Sequence, residues 1–98
     1  MKYFFEGRII SVQRDDVVLE NGTITTREVV RHDPAVVVIA FQDPDIIYLV
    51  KQFRYPVQEV LLEACAGIIN KNEEPLIAAK RELKEETGIS ANDWTKLG

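Results

Sequence analysis

The fold of this chain turns on Gly67–Ile89, "GIINKNEEPLIAAKRELKEETGI". Pro75 is tolerated at the first position of a helix and Gly88 suits a left-handed cap beyond its end, so the pair predicts a helix over Pro75–Thr87. At about 100° per residue, Leu76, Ala79 and Leu83 fall on one stripe that can pack on a sheet. Glu82 and Glu86 flank the stripe, and Glu85 lies further round. Crowded like charges weaken an isolated helix. One reading is a solvated face carried by ion pairs such as Arg81–Glu85. The other is three carboxylates converging beside the sheet, where a divalent cation relieves their repulsion. Oxygen-only ligands select a hard ion, Mg²⁺ first and Mn²⁺ as a substitute, which keeps positions open for water and phosphate.

Upstream of this stretch the chain reads as β-rich. "RIISVQ" and "DVVLENGTITTREVV" alternate apolar and polar residues around Asn21-Gly22, a pair that favours a tight hairpin turn. "HDP" is a break, with His32 a turn residue rather than a ligand. "AVVVIAF" is a continuous apolar run, expected in a strand covered on both faces. "QDPD" turns the chain into the strand "IIYLVKQFRYP", and "VLLEACAG" follows as another short strand ending at Ala66-Gly67. This order predicts a mixed sheet followed by one helix.

The totals restrict what such a chain does. Its 98 residues suffice for one small domain, residues 1–98, and a single cooperative unit is expected. With 46% hydrophobic residues, 29% charged and a net charge of −4, it reads as a soluble globular protein. The 12 Lys and Arg form no basic run among the 16 Asp and Glu, which argues against a nucleic-acid surface and leaves any anionic ligand to a local pocket. The lone Cys65 forms no internal disulfide and suits a reducing compartment. Neither a signal-like run nor a membrane-spanning segment interrupts this picture, so no membrane partner and a cytoplasmic location are expected.

The spacing carries a resemblance. Gly67, five residues, Glu73, seven residues, then "RELKEETGI" from Arg81 to Ile89 is similar to the Nudix box at every specified position, so residues 67–89 are identified with it. The resemblance implies an α/β/α sandwich around a mixed sheet, and hydrolysis of a nucleoside diphosphate linked to a further group. Carried over residue by residue, it makes Glu82 and Glu86 the main metal ligands. Glu85 becomes a further ligand or a helper in activating water, and Arg81 orients the carboxylates. Glu73 steadies the loop and Gly88 closes the box helix.

"REVVRH", "IIYLVKQFRYP" and "LLEACAG" in turn resemble the ADP-ribose pyrophosphatases, which cut ADP-ribose to AMP and ribose 5-phosphate. That likeness implies that Arg54 faces the substrate, that Glu63 and Gly67 serve the same pocket, and that the carbonyl of Ala66 ligates metal. It also implies a homodimer in which residues 1–30 exchange between protomers. Another nucleotide sugar as substrate, or a non-catalytic segment that binds nucleotide or only dimerises, stays open. Cys65 stands where that group has proline and reads as a small buried residue rather than a reactive thiol. Asn72 stands where glycine is common, and asparagine also enters the left-handed region. The family continues beyond the equivalent of "NDWTKLG", so the chain reads as C-terminally incomplete.

Overall fold

A computed structural model describes residues 2–98, which fall into two compact units that meet in sequence between Asp33 and Pro34. In the first unit β1 (Lys2–Glu6), β2 (Ile10–Val18) and β3 (Ile24–His32) form an antiparallel sheet in that order. The hairpin expected at Asn21-Gly22 is present, but only Gly22 takes a positive φ, at 83°. The Gly22 amide donates to the Leu19 carbonyl at 2.8 Å and the Leu19 amide to the Thr23 carbonyl at 2.8 Å. This is a three-residue loop with a left-handed glycine rather than a two-residue turn. The Asn21 side chain fixes it by accepting from the Thr23 amide at 3.0 Å. On one face of β2 the buried Gln13 donates to the Asp15 carboxylate and accepts from Arg31 Nε, so its amide is satisfied on both sides.

The second unit carries β4 (Ala35–Val38), β5 (Phe41–Asp43), β6 (Ile46–Ile47), β7 (Val50–Arg54), β8 (Glu59–Glu63), β9 (Cys65–Ile68) and α1 (Pro75–Thr87). The pairs are β4 with β9, β5 with β6, and β7 with β8. The chain is thus mostly strand with one helix after the strands. Among the described residues every pairing is antiparallel, where a mixed sheet was expected. The strand expected over "IIYLVKQFRYP" and the short strand expected over "VLLEACAG" are each split, at Tyr48-Leu49 and at Ala64. Splitting lets one sequence run serve two ladders: β8 pairs with β7 and β9 with β4.

Opposed residues of an antiparallel pair project to the same side. The register Val38↔Cys65 and Val36↔Gly67 therefore puts these four on one face of the β4–β9 pair, with Val37, Ala66, Ala35 and Ile68 on the other. The first face meets α1: Val38, Cys65 and Leu83 form the core cluster, with Ala40, Ala79, Ile89 and Trp94 packed around it. Val37 on the second face is 69% exposed, which corrects the expectation of a strand covered on both sides: α1 packs on the Val36–Val38 side of β4. The helix bounds agree with the sequence, and Gly88 closes α1 in the left-handed region at φ 74° with its amide on the Lys84 carbonyl. The stripe is rotated from the one expected. Ala78 and Leu83 are buried, whereas Leu76 is 47% exposed: Ala78 lies two residues on from Leu76, about 200° round the helix, so the face turned to the core in the first turn is not the one that carries Leu76. Burying Leu83 removes a side chain from water to a gain of about 2 kcal/mol.

Candidate active site

Rotation of the buried stripe to Ala78, Ala79 and Leu83 leaves Glu82 and Glu86 half-buried at its margin and Glu85 in solvent. Glu82 lies directly over Gly67. A Cβ built on Gly67 would overlap the Glu82 carboxylate, so the glycine opens the space that this side chain fills. Gly67 and Glu82 thereby meet, while Ala66 next to it pairs with Val37 in the ladder.

Arg81 ties the surrounding loop to the helix. Its Nε donates to Glu73 Oε2 at 2.9 Å and its Nη2 to Glu73 Oε1 at 3.0 Å, a bidentate pair. Its Nη1 donates to Glu82 Oε1 at 2.6 Å and to Glu85 Oε2 at 3.2 Å, and Nη2 also reaches the Ile68 carbonyl at 3.0 Å. Glu73 Oε1 in addition accepts the Asn70 amide at 3.0 Å. The loop turns through Asn72 at φ 64°, the left-handed conformation expected of that asparagine. The bonds from Arg81, and then the Asn70 amide, hold the Glu73 carboxyl below the usual carboxylate range. Glu73, followed by Glu82, raises the guanidinium of Arg81 above its ordinary value.

Arg54 and Glu63 meet on the β7–β8 hairpin. Arg54 Nε donates to Glu63 Oε2 at 2.7 Å and its Nη2 bonds Glu63 Oε1. This pair raises the arginine and lowers the carboxyl, and Glu86 adds to the first shift through space, which links the hairpin to the helix face. Burial pushes the Cys65 thiol up to about 11, with a further push from the charge of Glu86. Cys65 is thus a buried packing residue. His32 ends β3 and its ring bonds the Asp33 carbonyl.

Sequence reasoning passed over an open groove of about 390 Å³ lined by residues 48–52 together with Glu86, Thr87 and Ile89. One signal for it was available: Gln52 stands two residues before Arg54 and so shares its face of the strand. Among the described residues no three His, Cys, Asp or Glu side chains form a ready-made metal cluster; Arg81 engages Glu82 and Glu85 instead. The donor chemistry nevertheless fits a hard divalent ion. Glu82, Glu85 and Glu86 supply oxygen only, Glu86 lines the groove, and the missing Cβ of Gly67 leaves the space in which the Glu82 carboxylate sits.

This arrangement defines a class of site: helix carboxylates held by an arginine that is itself anchored in the preceding loop. Comparison with known proteins gives the class a name. The NUDIX domain model matches residues 31–98, and the nucleoside diphosphate sugar hydrolase N-terminal domain model matches residues 2–30. The chain is 45% identical over 93 residues to an ADP-ribose pyrophosphatase of Bacillus subtilis (strain 168), covering 95% of this chain and 50% of the relative. It is 46% identical over 92 residues to a methanol dehydrogenase activator of Bacillus methanolicus, covering 92% and 50%. A crystal structure of an ADP compounds hydrolase superposes with a TM-score of 0.77 at 28% identity, over 94% of this chain and 50% of that one. The chain belongs to the Nudix hydrolase family and is related to its ADP-ribose pyrophosphatases. It spans about half the length of these relatives. No helix among the described residues is long and apolar enough to cross a membrane.

Proposed function

We propose that the protein hydrolyses the pyrophosphate bond of a nucleoside diphosphate linked to a sugar, with ADP-ribose as substrate and AMP and ribose 5-phosphate as products. The observation that carries this reading is the seating of Glu82 over Gly67 within reach of Arg81, which sets a carboxylate of the box helix against the strand end. The 45% identity to an ADP-ribose pyrophosphatase supports the choice of substrate.

In this reading Glu82 and Glu86 hold Mg²⁺ or Mn²⁺, with Glu85 and the Ala66 carbonyl as further donors. When bound, such an ion neutralises phosphate oxygens and lowers the pKa of a bound water. The chain's own residues do the rest. Arg81 fixes Glu82 and Glu85 relative to each other and to the loop, which preorganises the carboxylates before substrate arrives. Glu85, with its side chain 58% exposed and one oxygen on Arg81, keeps its other oxygen for a metal or an attacking water. Arg54, within range of the charge of Glu86, supplies positive charge for the phosphates, and Gly67 leaves open the space in which Glu82 sits. A homodimer formed through residues 1–30, within a single Nudix domain and in a cytoplasmic setting, accompanies this reading.

The match of residues 2–30 to the nucleoside diphosphate sugar hydrolase N-terminal model favours a second reading, hydrolysis of a different nucleotide sugar. The test is release of AMP from ADP-ribose by the whole protein with Mg²⁺, beside a panel of nucleoside diphosphate sugars. Faster cleavage of another sugar nucleotide would select the second reading, and no cleavage of any would overturn both.

A further inference from the structure

Two arginines border the acidic face of α1, and both are held in the same way. Arg81 gives its Nε and Nη2 edge to the two oxygens of Glu73, and this leaves Nη1 to reach across to Glu82 and Glu85. Arg54 gives its Nε and Nη2 edge to the two oxygens of Glu63. Among the described residues, its Nη1 has no hydrogen-bond partner, and its side chain is 48% exposed. A guanidinium carries five donors in a rigid plane, so clamping one edge fixes where the remaining N–H groups point. In Arg81 the freed nitrogen finds carboxylate oxygen. Arg54 lies close enough to Glu86 for that charge to act on it, yet no carboxylate meets its Nη1.

We propose that Glu63 is a positioning residue: it clamps Arg54 by one edge so that Nη1 is presented to a phosphate oxygen of the substrate. The assignment rests on the reading of the site as one for a nucleoside diphosphate, and it changes the part of Glu63 from substrate contact to the group that aims Arg54. A carboxylate facing the phosphates directly would repel them; one that spends both oxygens on an arginine leaves its charge neutralised and the arginine oriented.

The inference predicts a coupling that a mere surface ion pair would not show. Affinity for inorganic pyrophosphate, measured by calorimetry on the whole protein without divalent metal, is expected to fall about tenfold in Arg54→Ala and in Glu63→Ala alike, and no further in the double variant. Glu63→Gln keeps one acceptor oxygen and is expected to fall between wild type and Glu63→Ala; if the alanine variant does not fold, the glutamine variant completes the cycle. With ADP-ribose and Mg²⁺, Glu63→Gln is expected to raise KM while leaving kcat near wild type. Losses that add in the double variant, tighter pyrophosphate binding by Glu63→Ala, or no pyrophosphate binding by wild type would overturn the proposal. A coupled binding cycle in a protein that cleaves no nucleoside diphosphate sugar would leave Glu63 as assigned and remove the hydrolase reading. Turnover with additive losses would do the reverse.

Discussion

Gly67 and Glu82 occupy one another's space: the carboxylate of the helix residue sits where any side chain on the strand residue would begin. The contact joins β9 to α1 at the point where the buried stripe gives way to charge. It predicts that Gly67→Ala keeps the fold, since the colliding atoms are the far end of a flexible side chain. The same variant displaces Glu82 from Arg81, and Mn²⁺ binding is expected to weaken by about tenfold or more. Paramagnetic titration beside far-ultraviolet circular dichroism checks both halves; unchanged Mn²⁺ affinity would separate Glu82 from the metal.

Glu73 makes the loop sensitive to acid. Arg81 holds its carboxyl below the usual range in the folded chain, so folding favours the ionised form. Its contribution is complete above the ordinary carboxylate pKa and is lost as the pH falls through the depressed folded value. Urea unfolding across the acid range is therefore expected to show a decline that Glu73→Gln flattens, because glutamine has no proton to take up. Equal acid slopes in the two proteins would show that the loop tie does not feel the titration.

How much of this was legible follows the range of the interactions involved. Pro75 and Gly88 act on the backbone beside them, so both ends of α1 could be read from the sequence. Asn72 entered the left-handed region for the same local reason. Leu76 was misplaced because a helical stripe has no absolute phase until the strands beneath it are known: Cys65 and Val38 take Leu83, and the buried residue of the first turn is Ala78. The apolar run "AVVVIAF" shows hydrophobicity but not which faces are covered, and Val37 stayed exposed. Within the site, the spacing of Glu82, Glu85 and Glu86 was visible, as was a role for Arg81. That Glu73 and Glu63 clamp their arginines by matching edges was not, since eight and nine residues separate each pair.

Cys65 is expected to resist thiol reagents. Its side chain lies in the core with Val38 and Leu83, and burial first, then the charge of Glu86, pushes the thiol up to about 11. Only the thiolate attacks, so little nucleophile is present near neutrality and the reagent has no path to it. Reaction with a coloured disulfide reagent at pH 7.5 is expected to be slow in the native chain and immediate in urea. Prompt native reaction would place Cys65 at an open surface.

The three helix carboxylates are expected to contribute unequally. Glu82 and Glu86 lie half-buried at the edge of the core, where neighbouring groups restrict them, whereas Glu85 is largely in solvent and reaches only Arg81. A ligand held in place loses less freedom on binding a cation than one that must be recruited from water. Replacing Glu82 or Glu86 by Gln removes charge at nearly constant shape. Each change is expected to lower kcat/KM for ADP-ribose by about a hundredfold or more in the whole protein and to raise the Mg²⁺ concentration needed for half-maximal rate. Glu85→Gln is expected to reduce kcat with a smaller effect on that concentration, since its second oxygen is the one left for water. The measurement is the rate as a function of Mg²⁺ for all three variants, with thermal unfolding to confirm that each is folded. If Glu85→Gln shifts the metal dependence more than Glu82→Gln, the exposed carboxylate is the stronger ligand and the ranking by burial is wrong.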